Sequence, residues 1–90
     1  MKKCRVLVYG IVQGVGFRRY TRKNAVKYRI KGWVRNNTNG TVEIIAQGTP
    51  SRMGLFIGTI LNGPKRAKVD SIQVSPLTEL TKFRNFEIRR

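Results

Sequence analysis

Two short segments hold the groups best suited to chemistry. The first, Gly10-Ile11-Val12-Gln13-Gly14-Val15-Gly16-Phe17-Arg18, holds Gly14 and Gly16 with a single residue between them and ends on an arginine. Gly14 and Gly16 let the backbone curl so that successive N–H groups converge on one point. Where a helix starts at such a loop, its unpaired first amides and the positive end of its dipole add to the same anion cradle. Arg18 in the first turn can then grip two phosphate oxygens at once. The local pattern equally allows a plain strand-to-helix turn with an exposed arginine, because glycines are common wherever chains reverse. The Lys-Ser/Thr pair of a Walker loop is missing, and the dinucleotide fingerprint does not fit.

The second segment is Gly32-Trp33-Val34-Arg35-Asn36-Asn37-Thr38-Asn39-Gly40-Thr41-Val42-Glu43. Asn36 falls where a strand should end, from which its carboxamide can reach towards the first loop. A carboxamide accepts from a water and donates to a phosphoryl oxygen together, so it can aim a water without acting as a base. By local pattern alone the plainer reading is favoured, in which Asn36 only starts a turn.

The elements that must position these groups are legible as periodicities. Between Arg5 and Val12, Val6, Val8 and Val12 alternate with Leu7, Tyr9 and Ile11, which is the period of a strand. Phe17, Thr21, Ala25 and Tyr28 then share one helical face. Residues 30 to 36 read as a second strand, Asn39-Gly40 predicts a two-residue type I′ hairpin turn, and 41 to 47 return as a third strand. Thr49-Pro50 opens a second helix with the stripe Met53, Phe56, Ile57, Ile60 and Leu61, and Gly63-Pro64 stops it. Gly54 and Gly58 inside it each cost about 1 kcal/mol relative to Ala, so this helix should depend on packing against the sheet. Residues 67 to 74 form a strand whose apolar phase slips between Val69 and Ile72, which predicts a bulge, and 86 to 88 form a short last strand. The order βαββαβ predicts an α+β, ferredoxin-like sandwich: an antiparallel sheet with both helices on one face. Enzymes, metal carriers and RNA-binding modules all use that architecture, so function has to be argued from the site.

Composition narrows the chemistry. Ninety residues with 40% hydrophobic content suit a single domain spanning residues 1–90. No apolar run approaches the roughly 18 residues of a membrane span, and Met1-Lys2-Lys3-Cys4-Arg5 leads straight into a strand, so a soluble cytoplasmic protein is expected. A lone Cys4 cannot form an internal disulfide, and the absence of His excludes the usual zinc sites and His-activated nucleophiles. The net charge is +15 and no acidic residue precedes Glu43, which points to an anionic partner. Charge alone does not separate a nucleic acid from a small phosphorylated substrate, and part of it can be a solvated face.

Taken together, GIVQGVGFR (residues 10–18) and GWVRNNTNGTVE (residues 32–43) resemble the two signature motifs of the acylphosphatase family. Gly63-Pro64, Ala67 and Val69 fall where that family carries Gly-Pro followed by Ala-x-Val, and Phe86 matches its last strand, so the resemblance covers nearly the whole chain. It implies the ferredoxin-like fold and hydrolysis of acyl phosphates to a carboxylate and inorganic phosphate, without metal or cofactor. It further implies Arg18 as the phosphate-binding arginine, Asn36 as the residue that positions the attacking water, and the loop Gln13, Gly14, Val15, Gly16 and Phe17 as the source of backbone N–H groups. Phosphate or sulfate would compete with substrate, and the enzyme would be a monomer with no membrane partner.

Three positions depart from the family pattern: Ile11 where Arg is common, Asn39 where Asp is usual, and Arg29 where Gly often follows the first helix. Arg29 is thereby expected at a left-handed helix end, at a cost of about 1 kcal/mol. An RNA-binding module is the main rival, since it shares this element order and suits the charge. Lys31-Gly32-Trp33-Val34 is similar to the start of the aromatic RNA-binding consensus, yet it lies on the second strand, and the third has no aromatic residue for bases to stack on. Acylphosphatase-like domains also open hydrogenase-maturation carbamoyltransferases; the stop at Arg90 favours a free-standing enzyme instead.

Overall fold

A computed structural model describes residues 1–79 and 81–90. The elements run β1 (Lys2–Ile11), α1 (Phe17–Lys27), β2 (Lys31–Asn36), β3 (Val42–Gly48), α2 (Pro50–Asn62), β4 (Lys68–Pro76) and β5 (Phe86–Arg89). They build one five-stranded sheet in the order β4-β1-β3-β2-β5. β1 to β4 pair antiparallel, but β5 lies parallel to β2, with Gly32 opposite Phe86 and Val34 opposite Ile88. The sheet is therefore mixed, not purely antiparallel. A strand at the far edge reached from β4 across the whole sheet has no hairpin to fix its sense, so local pattern carries no signal for it.

One sheet face is buried by both helices. Cys4, Val6 and Val8 of β1, Val34 of β2, and Val42, Ile44 and Ala46 of β3 pack against Phe17 and Ala25 of α1 and Met53, Phe56 and Ile60 of α2. Phe86 closes the cluster from β5, edge-on to Phe56 at 6.2 Å between ring centres. The alternation read from the sequence holds, with Tyr9 and Ile11 exposed on the other face. Tyr20 ties α1 to α2 by donating its hydroxyl to the Thr59 carbonyl at 2.7 Å, and burial raises its pKa.

The terminators behave as their chemistry requires. The Thr49 side chain accepts from the Arg52 amide and Pro50 opens α2, while the Gly63 amide caps its end on the Thr59 carbonyl. The bulge lies on β4: Tyr9 faces Ser71 and Gly10 faces Val69, so Asp70 is the extra residue. Arg29 stands at φ 56°, left-handed without being glycine, as expected after α1.

The β2–β3 turn is different from expectation. It spans three residues, Thr38 to Gly40, with the Gly40 amide donating to the Asn37 carbonyl at 3.2 Å and the Asn37 amide to the Thr41 carbonyl at 2.9 Å. Only Gly40 is left-handed, at φ 91°, which is a bulged three-residue hairpin and not a type I′ turn. The cause is Asn39, whose carboxamide oxygen accepts from both the amide and the hydroxyl of Thr41 (3.2 and 2.7 Å) and so holds the local turn two residues on.

Candidate active site

Because β2 is antiparallel to β3, β3 is antiparallel to β1, and β5 is parallel to β2, the chain leaves β1, β2 and β5 at the same end of the sheet. That end gathers the first glycine loop, Asn36 and the last residues of the chain. There a cleft of about 840 Å³ is lined by Val12, Gly14, Gly16, Phe17, Arg18, Arg19, Asn36, Ile88 and Arg90. Three of the lining residues are arginines and none is acidic.

Gly14 and Gly16 stand at φ 72° and 78°, with open space where a Cβ would sit. The glycines are needed for backbone sign rather than for close contact, since a side chain at positive φ is strained. Gly16 is also the N-cap of α1 and no side chain caps the helix. The first intrahelical bond joins the Tyr20 amide to the Gly16 carbonyl at 3.1 Å, so the amides of Phe17, Arg18 and Arg19 have no partner within the helix. They open beside the cleft at the positive end of the helix dipole.

Arg18 is half-buried, and its Nη1 donates to the Arg89 carbonyl at 3.3 Å, the long end of the hydrogen-bond range. One weak bond aims the guanidinium while leaving most of its five donors for a ligand. Across the cleft, the Asn36 Oδ1 is buried and accepts no hydrogen bond from the described residues. An unmet acceptor of this kind costs roughly 1–3 kcal/mol, and it belongs to a residue that lines the cleft.

The residues expected at the site do not all face it. Arg18, Asn36, Gly14, Gly16 and Phe17 line the cleft, whereas Gln13 and Val15 are not among its walls. Val15 packs against the core. Gln13 turns its carboxamide to the hairpin, where Nε2 donates to the carbonyls of Asn37 (2.8 Å) and Thr41 (2.9 Å). It thus stitches the glycine loop to the residue after Asn36. Sequence reasoning missed Val12, Arg19, Ile88 and Arg90. The doublet Arg18-Arg19 was visible, but Ile88 and Arg90 reach the cleft only because β5 runs parallel to β2.

Comparison with known proteins bears on what such a cleft is for. The family model described as acylphosphatase matches residues 4–88. The chain belongs to the acylphosphatase family. An acylphosphatase from Geobacillus kaustophilus is 42% identical over 88 residues, covering 98% of this chain and 94% of the relative. The crystal structure of the Bacillus subtilis acylphosphatase superposes with a TM-score of 0.96 at 37% identity, covering all of both chains. Full-length HypF, solved in a phosphate- and nucleotide-bound form, contains a similar unit: TM-score 0.91 and 33% identity over 99% of this chain but 12% of that one. The RNA-binding rival is superseded by these findings as an account of the family. Among the described residues no helix is long and apolar enough to cross a membrane.

Proposed function

We propose that this acylphosphatase-family chain hydrolyses the carboxyl-phosphate bond of acyl phosphates. Arg18 and the backbone amides of the Gln13–Phe17 loop and first helical turn hold the phosphoryl group, and Asn36 aims a water in line with the departing carboxylate. The observation that carries the reading is the buried, unpartnered Oδ1 of Asn36 in the same cleft as Arg18. In the reaction the water oxygen bonds to phosphorus, the bond from phosphorus to the carboxyl oxygen breaks, and its electron pair leaves on the carboxylate. The water's proton passes to a phosphoryl oxygen, so no strong base is required, in keeping with a chain that has no His. Val12 and Ile88 offer apolar walls to the acyl portion. Residues 1–90 act as one catalytic domain in this reading, monomeric and cytoplasmic, with phosphate or sulfate as competing anions and no metal or cofactor needed.

The test is hydrolysis of benzoyl phosphate with and without a chelator, in the parent and two variants. Arg18→Ala should lose both turnover and phosphate inhibition, since one preorganised donor is worth roughly 2.7–4 kcal/mol of transition-state stabilisation. Asn36→Ala should lower turnover and leave phosphate inhibition nearly intact. Turnover within a few-fold of the parent in Arg18→Ala, or loss of phosphate inhibition in Asn36→Ala, would refute these roles.

A further inference from the structure

Beyond the cleft, the excess charge collects on one helix. α1 carries Arg18, Arg19, Arg22, Lys23 and Lys27 within eleven residues and no acidic residue. Phe17, Thr21 and Ala25 face the core, so the helical period leaves Arg19, Arg22, Lys23 and Lys27 exposed, with the Arg22 Nε donating to the Phe86 carbonyl at 3.3 Å. None of them joins an ion pair among the described residues. Two of the four acidic side chains are engaged elsewhere: buried Glu43 lies 3.0 Å from both Arg5 and Arg35 on the opposite sheet face, and Glu87 lies 3.6 Å from Arg89.

This arrangement works against the helix that carries it. Arg18 and Arg22, Arg19 and Lys23, and Lys23 and Lys27 are like-charge pairs one turn apart, and the first-turn arginines oppose the helix dipole. A polyanion lying along the helix relieves both. The surface also indicates which polyanion. Protein interfaces have an apolar, often aromatic, centre, and here Val26 is the sole large exposed apolar side chain of α1. A basic row about 12 Å long from Arg19 to Lys27, with no exposed aromatic ring on the helix, suits evenly spaced phosphates instead. On the outer sheet face Trp33 is covered by the guanidinium groups of Arg35 and Arg89 at 5.0 and 4.8 Å, which leaves Tyr9 as an isolated exposed ring and not a row on which bases stack.

We propose that the exposed face of α1 binds the backbone of double-stranded nucleic acid without sequence preference, through Arg22, Lys23 and Lys27 with Arg19 at its upper end. This binding is a second property of the chain, argued separately from the hydrolysis proposed above; Arg19 alone belongs to both surfaces.

Anisotropy of a labelled duplex of about 20 base pairs, titrated between about 50 and 300 mM KCl, tests it. The logarithm of affinity should fall against that of salt with a slope of about −4, as expected for four or five phosphate contacts. The triple variant Arg22→Gln, Lys23→Gln, Lys27→Gln should flatten the slope by about 3 and weaken binding at least about 10-fold at 100 mM salt. Its hydrolysis of benzoyl phosphate should stay within about 2-fold of the parent, which also reports that it folds, because these residues lie outside the cleft. The charge-preserving triple Arg22→Lys, Lys23→Arg, Lys27→Arg should bind like the parent. Lys2→Gln, Lys31→Gln, Lys82→Gln removes equal charge elsewhere and should weaken binding less than about 3-fold. Equal loss in that control, parental binding by the α1 glutamine triple, or equally effective displacement of the duplex by polyglutamate would each overturn the proposal.

Discussion

Replacing Gln13 by Ala should uncouple the two halves of the cleft, and the structure sets the size of the effect. The Gln13 carboxamide spends both N–H groups on the carbonyls of Asn37 and Thr41. Neither carbonyl is orphaned by the change, since the Gly40 amide still reaches Asn37 and the Asn37 amide still reaches Thr41. The loss is then two ordinary neutral hydrogen bonds, about 1–2 kcal/mol in all, seen as a melting temperature lowered by roughly 4–8 °C per kcal/mol. The effect on turnover should be larger than this suggests, because Asn36 precedes the residue that Gln13 holds. A displacement of the order of 1 Å between a water-aiming group and a phosphate cradle can cost about 100-fold. Steady-state hydrolysis of benzoyl phosphate should therefore show kcat lowered about 10- to 100-fold, with inhibition by inorganic phosphate changed less than about 3-fold. The decisive measurement is the double-mutant cycle: in an Asn36→Ala background, Gln13→Ala should lower kcat by no more than about 3-fold. Equal kcat losses in both backgrounds, or phosphate affinity falling in step with turnover, would show that Gln13 does not act through Asn36. Gln13→Glu keeps the length but sets a carboxylate against two carbonyls, and should melt below Gln13→Ala.

Other substitutions read the fold directly. Gly54 and Gly58 face open space on α2, so each change to Ala should stabilise by about 1 kcal/mol in urea titrations without altering hydrolysis. Arg29→Gly should also stabilise, by about 1 kcal/mol, since it releases a left-handed arginine; a drop in the urea midpoint would contradict that account. Burial pushes the Cys4 thiol pKa up, against a smaller opposing pull from Lys2, so the native thiol should react with a disulfide reagent at pH 8 far more slowly than the same thiol in urea. Because the folded thiol resists ionisation, its contribution is fully present below the unfolded thiol pKa, near 8.5, and is lost as pH rises above it. A Cys4→Val variant should accordingly lose less stability than the parent between pH 8 and pH 10.

Much of this molecule was legible because its signals are local. The Thr49-Pro50 start of α2, the Gly63 stop, the phase slip between Val69 and Ile72 and the left-handed Arg29 each depend on a few neighbouring residues, and the structure bears them out. The hairpin turn was misread because a dipeptide rule for Asn39-Gly40 ignores what the Asn39 side chain bonds to. The site was half legible. Arg18 and Asn36 stand out within motifs, but the walls formed by Ile88 and Arg90 depend on an edge strand that chooses its direction non-locally. The tie from Gln13 to the hairpin crosses 24 and 28 residues, a distance at which no periodicity speaks.

The place of β1 inside the sheet has a further consequence, for the chain as it is being made. β1 is synthesised first, yet its two neighbours are β3 and β4, so Val6 waits for Ile44 and Val74. At roughly 5–20 residues per second, the apolar run from Val6 to Val12 stays without a partner strand for about 2–8 s before β3 is complete. Such a run is an aggregation hazard while it is exposed on the ribosome. Lys2, Lys3 and Arg5 stand immediately before it, and Arg18 and Arg19 soon after. Basic residues in those places act as gatekeepers, keeping nascent chains apart until the hydrophobic face is covered.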